Sequence, residues 1–275
     1  MKKRRLMMRK RMLVFSSVAI VFMYISAFGF IVDALARAQE EFHETYKLKS
    51  GSPVSVENTN GNISVTVWEE DYVDVYAVKK TRKDEDELKK VEIQVSKNDE
   101  LRIKTHYIKK RAKVSVDYTI KVPKTIKVER TKTTNGQVEL RGTYGDTYVK
   151  STNGTLSIKD TDGFIEAYTT NGDINLTGAT GIKSARTTNG SINVSFSKLA
   201  DSVEITTTNG SINLTISQDL DADIDLSTTN GSVKASGISI LLDEISKHHI
   251  TGKLGSGGKK LKAKTVNGGI TIYKL

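Results

Sequence analysis

The sequence predicts an all-β protein: a single-stranded parallel β-helix (β-solenoid) with an N-terminal β module, preceded by one N-terminal transmembrane helix. Three observations predict it. Asn-Gly pairs recur every 18 to 21 residues over most of the second half, apolar and polar residues alternate on both sides of each pair, and an uncharged apolar run follows a basic N-terminus. A fixed period in this range is typical of stacked coils.

The chain begins with a basic tail, residues 1–11, followed by an uncharged apolar run, residues 12–32. At 1.5 Å per residue a helix over this run would be about 31 Å long, which matches the hydrocarbon thickness of a bilayer. Basic residues before such a run place its N-terminus in the cytoplasm. We expect a single-pass signal anchor in the cell membrane, with the solenoid outside. The alternative is a signal peptide cleaved near Ala36, which would release a secreted protein.

Composition excludes several classes of function. Of the 42 Lys and Arg residues, seven lie in the basic tail, which leaves 35 against 32 Asp and Glu in the rest of the chain. A nearly balanced body does not predict a nucleic-acid partner. The sequence contains no Cys, so disulfides, thiol catalysis and Cys-ligated metal sites are excluded. We predict no cofactor.

After a predicted linker at residues 33–44, residues 45–130 are predicted to form the N-terminal β module. Residues around Asn60 follow the pattern of the later repeats. Further strands are expected at Tyr72–Val78, Val91–Val95, Leu101–Thr105 and Val114–Val122, with one or two helical turns within Lys83–Lys90. We expect this module to begin and cap the solenoid.

The repeat proper covers residues 131–275. Three and five residues after each Asn stand apolar side chains such as Ile174 and Leu176, and the positions between them are polar. This alternation predicts a strand with one buried face, and the segment before each Asn-Gly alternates in the same way. The structural repeat residues are Asn135, Gly136, Asn153, Gly154, Asn171, Gly172, Asn189, Gly190, Asn209, Gly210, Asn230, Gly231, Asn267 and Gly268.

Each Asn-Gly is therefore predicted to be a corner between two strands of one coil. We expect Gly to supply a positive φ there and the Asn amides to bond along the stack, with an inward Thr column behind them. Asn-Gly between alternating residues also favours hairpins. A hairpin meander would need two turns per period, and columns of like residues at the same position of an 18-residue period favour coils instead.

The second corner of each coil varies in length, and residues 236–260 interrupt the repeat. Within this insertion, Ile238–His249 is expected to be a short helix or a degenerate coil, and Gly255–Lys260 a flexible loop. Insertions on one face of a solenoid often mark its binding face. We therefore expect any functional site on the second corner or in the insertion.

Several segments together resemble a bacterial family of β-strand-repeat domains of unknown function that is called putative adhesins. They are residues 57–65 (ENTNGNISV), residues 118–123 (YTIKVP), the TTNGSIN repeats at 187–193 and 207–213, and residues 265–272. The resemblance spans about residues 45–275 and implies an exported cell-envelope solenoid. It supplies no catalytic residues. Some relatives occur beside envelope-stress regulators, which implies an accessory role in envelope stress.

An acidic strand is the first candidate site. Asp219, Asp221, Asp223 and Asp225 alternate with apolar residues, so their carboxylates share one face. Paired carboxylates can bind Ca²⁺ or cleave a glycosidic bond, and Asp221, Asp223 and Asp225 are the candidate metal ligands. The alternative is a solvated outer strand face. No other catalytic or metal-binding group is predicted.

Three further surface features have both a functional and a structural interpretation. Adjacent His248 and His249 do not share a face, which favours a surface pair over a metal site. The basic segment 109–113 could contact an anionic envelope polymer or lipid headgroups, or be a solvated hairpin tip. Tyr148 and Tyr168, one coil apart, could form a sugar-stacking platform or only pack on the sheet.

Three functions follow as hypotheses. The first is a non-enzymatic, membrane-anchored envelope protein whose solenoid binds a polymer or a membrane protein partner. The second is a polysaccharide-cleaving enzyme that uses the acidic strand. The third is an accessory of an envelope-stress sensing system.

Overall fold

The computed structural model describes residues 37–275 apart from residues 197, 200 and 218, and the side chain of Phe196 is likewise outside the description. The predicted transmembrane segment, residues 12–32, lies outside the described residues. Within the described part, no helix combines the length and the apolar character needed to cross a membrane. One 3₁₀ helix, Glu85–Lys90, interrupts a chain of strands.

The strands are β1 (Ala38–Tyr46), β2 (Pro53–Glu57), β3 (Ile63–Trp68), β4 (Val73–Thr81), β5 (Val91–Lys97), β6 (Leu101–Tyr107), β7 (Val114–Pro123), β8 (Lys127–Lys132), β9 (Val138–Arg141), β10 (Thr147–Lys150), β11 (Leu156–Lys159), β12 (Phe164–Tyr168), β13 (Ile174–Thr177), β14 (Gly181–Arg186), β15 (Ile192–Phe196), β16 (Val203–Thr206), β17 (Ile212–Ile216), β18 (Ala222–Asn230), β19 (Val233–Ser236), β20 (Leu241–Ile245), β21 (His249–Leu254), β22 (Lys260–Asn267) and β23 (Ile270–Lys274).

These strands form two sheets, and each coil gives one strand to each sheet. The first sheet has the order β1-β4-β7-β3-β9-β11-β13-β15-β17-β23-β19, and the second has the order β20-β21-β18-β22-β16-β14-β12-β10-β8-β2-β6-β5. Pairing between coils is parallel and in register, with Leu156 between Val138 and Ile174. The predicted all-β parallel solenoid is confirmed, and the hairpin meander is excluded because the Asn-Gly corners stack in parallel bridges.

Two coils stack out of chain order. The coil β2/β3 lies between β6/β7 and β8/β9, and the C-terminal coil β22/β23 lies between β16/β17 and β18/β19. Asn267, in the last Asn-Gly corner, therefore forms a β-bridge with Asn209, whereas Asn230 belongs to the outermost coil. This intercalation accounts for the long gap between Asn230 and Asn267.

The insertion and the predicted linker differ from expectation. Ile238–His249 is not helical, because β20 and β21 form an antiparallel hairpin that pairs with β18. Residues 38–44 are not a linker, since β1 begins at Ala38 and pairs with β4 over nine positions. Residues 45–130 share both sheets with the later coils, so the predicted module is continuous with the solenoid.

The core consists of the inward columns of Val, Ile and Leu from both sheets. Val138, Leu156, Ile174, Ile192 and Ile212 are all fully buried at the same position of successive coils. Because strand side chains alternate between faces, the intervening residues all point to solvent. The solenoid therefore presents two outer sheet faces whose side chains are not constrained by the core, although on the first sheet the outward Asn193 bonds to both Asn175 and Asn213.

Candidate functional site

The Asn side chains of the repeat form one ladder along the stack. Asn171 donates from Nδ2 to Asn153 Oδ1 at 2.7 Å and accepts from Asn189 Nδ2 at 2.7 Å. The same bond links each pair of neighbours in the column Asn60, Asn135, Asn153, Asn171, Asn189, Asn209, Asn267 and Asn230. At its first end, Asn60 donates to the Tyr107 hydroxyl at 3.0 Å.

Behind the ladder, the inward Thr or Ser of each coil donates its hydroxyl proton to the Gly carbonyl of the coil before it in the stack. Thr187 Oγ1 reaches Gly172 O at 3.0 Å, and Thr207 Oγ1 reaches Gly190 O at 2.9 Å. A buried hydroxyl needs such a partner. The conspicuous Asn, Gly and Thr residues are thus used for stacking.

Glycine is required at the corner for a reason other than the predicted positive φ. A Cβ on Gly136 would lie 2.0 Å from the Gly61 carbonyl oxygen, which is inside van der Waals contact. Gly136 itself has no positive φ, and Gly190, at 158°, is close to extended. The prediction was therefore wrong for these residues, because close approach of stacked backbones excludes a side chain there.

The outer face of the second sheet carries a line of cations beside the Asn corner. We call Lys104, Lys132, Lys150, Arg186 and Lys264 the basic row. Lys132 pairs with Lys150, and Thr206 pairs with both Arg186 and Lys264, so these residues occupy one position of successive coils. Glu57 stands in the same line, between Lys104 and Lys132.

Most charges of the basic row are unpaired. Arg186 forms an ion pair with Glu204. Among the residues described, no carboxylate lies within ion-pair distance of the four lysines of the row. In the sequence, the outward column already contains Lys150, Arg186 and Lys264. Lys104 joins it only because β6 stacks beside β2.

The tyrosine pair, Tyr148 and Tyr168, lies in the middle of this face. The ring centroids are 5.4 Å apart and the planes are inclined by 34°. The Arg130 guanidinium lies 5.2 Å from the Tyr148 ring centroid. Tyr168 is fixed by hydrogen bonding to the Ser184 hydroxyl at 2.7 Å. The two half-buried rings pack as neighbours and also present one continuous aromatic surface.

The predicted acidic strand is only partly a strand, because β18 begins at Ala222 and the exposed Asp219 and Asp221 precede it, and it lies against the insertion. Asp221 Oδ1 accepts from the Ser256 backbone N–H at 2.6 Å, and one oxygen of Asp223 is buried without a hydrogen-bond partner. Asp225 lies 3.3 Å from both His249 Nε2 and Lys260 Nζ. In the part of the chain that the structure describes, no three acidic, His or Cys side chains are grouped to hold a metal ion.

Asp225 is held in its ionised form. Burial alone would raise its pKa, but hydrogen bonds from His249 and Lys260, together with the positive charge of Lys260, lower the pKa below its ordinary value. His249 also lies 3.5 Å from Glu244 on β20, whereas His248 is exposed. Of the two adjacent histidines, His249 thus joins the hairpin to β18, whereas His248 points to solvent.

The remaining predicted positions are peripheral. The basic segment 109–113 is an exposed connection between β6 and β7, which lie in different sheets, so it is not a hairpin tip. On the second corner, a shallow depression of about 600 Å³ is lined by Tyr144, Asp146 and Asp162. Its carboxylates hold the corner, since Asp146 Oδ1 accepts from the Phe164 N–H at 3.0 Å.

The stacked corners and the parallel pairing between coils define a β-solenoid whose recurrent polar residues support the stack. A family model described as Toastrack DUF4097 matches residues 47–273, and the chain belongs to this family. The expected membership of the bacterial family of adhesin-like repeat domains is thereby confirmed. No curated protein matches the sequence.

Several solved structures are similar to the chain. A putative adhesin from Bacteroides fragilis is 14% identical, with a TM-score of 0.41 and coverage of 86% of this chain and 97% of the other. A putative lipid binding protein from Parabacteroides distasonis has the same identity and TM-score, with 86% and 96% covered. A putative cell adhesion protein from Clostridium sporogenes is 12% identical, with a TM-score of 0.36 and 86% and 100% covered.

Proposed function

We propose that this chain is a non-enzymatic binding or scaffold protein of the cell envelope. In this proposal, residues 12–32 hold it in the membrane and the solenoid stands outside the cytoplasm. One observation carries the binding role: the residues that recur in every coil are used for stacking, whereas the outer sheet faces vary from coil to coil. Rigid repeat scaffolds with variable faces are suited to binding extended partners.

The location is tested with the full chain expressed in a bacterial host. We expect it in the membrane fraction, with the solenoid digested by protease added to cells whose outer layers have been opened. A chain that starts at Arg37 should lose the membrane association. A mature N-terminus close to residue 37 would instead support the secreted alternative, and a protected solenoid would refute exposure outside the cytoplasm.

The binding role is tested by retention on isolated envelope material. We expect the full chain to be retained and the material to stay intact. Release of soluble sugar by the purified chain, abolished in Asp223→Asn, would overturn the non-enzymatic role in favour of polysaccharide cleavage. Failure to be retained on any envelope fraction would refute the binding role itself.

A further inference from the structure

Resting on the proposed binding function, we infer that the basic row and the tyrosine pair together bind an extended anionic polysaccharide, which lies across the stacked coils. The row runs perpendicular to the strands, along the direction in which coils repeat. A polymer on this line meets the same position of each coil in turn.

The spacing of the row suits a sugar chain. Neighbouring strands in a sheet are about 4.8 Å apart, so Lys132 to Lys264, five strands on, spans about 24 Å. A pyranose ring in an extended chain advances by a length close to one strand spacing. Cations stand at Lys132 and Lys150, then at every second strand, where Arg186 is shared with Glu204 and Lys264 is unpaired within the described residues; this spacing fits acidic groups on alternate sugars.

The tyrosine pair provides the surface for the rings. Tyr168 lies in the row itself, and Tyr148 lies on the adjoining strand in the neighbouring outward column, with its ring in contact with that of Tyr168. Aromatic faces bind the C–H faces of sugars. Because the Tyr168 hydroxyl is already hydrogen-bonded to Ser184, the Tyr168 side chain loses little conformational entropy on binding. The aromatic surface thus lies between Lys150 and Arg186, where an uncharged stretch of polymer would pass.

The charge pattern favours a polysaccharide over nucleic acid. Double-stranded DNA carries about one charge per 1.7 Å of helix axis, whereas the row offers a cation every one or two strands and includes Glu57. Glu166 and Glu204 flank the row in the neighbouring column. Arg130 and Lys262 lie in that same column and offset these carboxylates, so the preference for a polymer with sparse acidic groups rests on the spacing of the cations in the row.

Binding is measured with the purified full chain in detergent and a linear polygalacturonate as the anionic probe, with a neutral linear glucan beside it. We expect binding to polygalacturonate that weakens with added salt, and no measurable binding to the glucan. Lys132→Gln with Lys150→Gln should weaken binding about ten-fold, and Tyr148→Ser with Tyr168→Ser by a similar factor.

The matched control removes two lysines from the other outer face, Lys159→Gln with Lys234→Gln, which changes the net charge equally. It should keep affinity within about two-fold. If the Lys159/Lys234 control loses as much affinity as the Lys132/Lys150 variant, binding is not specific to the row. Tighter binding to single-stranded DNA through Lys132 and Lys150 would also refute the inference. If envelope retention survives Lys132→Gln with Lys150→Gln, the row inference fails while the proposed binding function stands.

Discussion

Replacing Asn171 by Ala tests whether the Asn ladder stabilises the stack. The change removes two side-chain bonds, one donated to Asn153 and one accepted from Asn189, each 2.7 Å long. The backbone bonds of the corner do not depend on the side chain, since the Asn171 N–H still reaches Thr152 O at 2.8 Å. The loss of stability therefore reports on the side-chain bonds of the ladder alone.

Each net hydrogen bond contributes roughly 0.5–1.5 kcal/mol, so two bonds predict a loss of about 1–3 kcal/mol in the free energy of unfolding. The ladder is exposed, which places the expected value in the lower part of that range. For a chain of this size the Tm should fall by about 2–4 °C per kcal/mol. Asn230 stands at the end of the ladder and makes one such bond, to Asn267 at 2.9 Å.

The assay compares Asn171→Ala with Asn230→Ala by urea unfolding, with amide hydrogen exchange at the corners as a local measure. We expect the first variant to lose about twice as much stability as the second. Asn171→Asp keeps the acceptor for Asn189 but sets a carboxylate against Asn153 Oδ1, so it should be no more stable than the Ala variant. Equal losses at Asn171 and Asn230, or none at either, would refute the ladder as a source of stability.

Three further predictions concern the corner, the acidic strand and the intercalated coil. Gly172→Ala should destabilise the chain more than Asn171→Ala, because its Cβ would lie 2.2 Å from Gly154 O; equal Tm values would contradict this. The pKa of Asp225 is lowered in the folded state, so its stabilising effect is full above the ordinary value of 3.8 and is lost as pH falls below it. The stability difference from Asp225→Asn, followed by thermal unfolding, should accordingly shrink on acidification, and a difference that grew would refute the ion pairs. Truncation after residue 259 removes the coil that joins β16/β17 to β18/β19, so exchange protection of β18 should be lost while β10 to β13 stay protected; retained β18 protection would contradict the stacking order.

The coil columns could be predicted from the sequence because stacking imposes the same constraint on every coil. A position that faces the core in one coil does so in all, so the period and the alternation of Ile174, Asn175 and Leu176 define the inside and the outside. The stacking order could not be predicted. Every coil offers similar pairing edges, so the period alone does not state which coil is the neighbour of which.

The candidate site, too, could be predicted from the sequence only in part. The outward position of Lys150, Tyr168 and Arg186 follows from the alternation alone. The extension of the row to Lys104 depends on the insertion of β2 beside β6, for which the sequence has no local signal. Similarly, the partners of Asp225 lie 24 and 35 residues further on, in a hairpin and a coil whose places are set by tertiary pairing.

The strands at the ends of the two sheets bear on which surfaces remain free for binding. A solenoid exposes unpaired strand edges at both ends, and such edges promote association between chains. Here antiparallel strands lie on three of the four sheet ends: β1 and β4 on one sheet, β5 on the other, and the hairpin β20–β21 at the far end of that second sheet. On β20, the exposed Leu241, Leu242 and Ile245 flank Asp243 and Glu244, and antiparallel pairing of two β20 strands centred on Asp243 would set the two Asp243 carboxylates against each other. The outer sheet faces run along the whole stack and have no unpaired strand edge, so they are the surfaces on which an extended partner can be bound without adding a strand to a sheet.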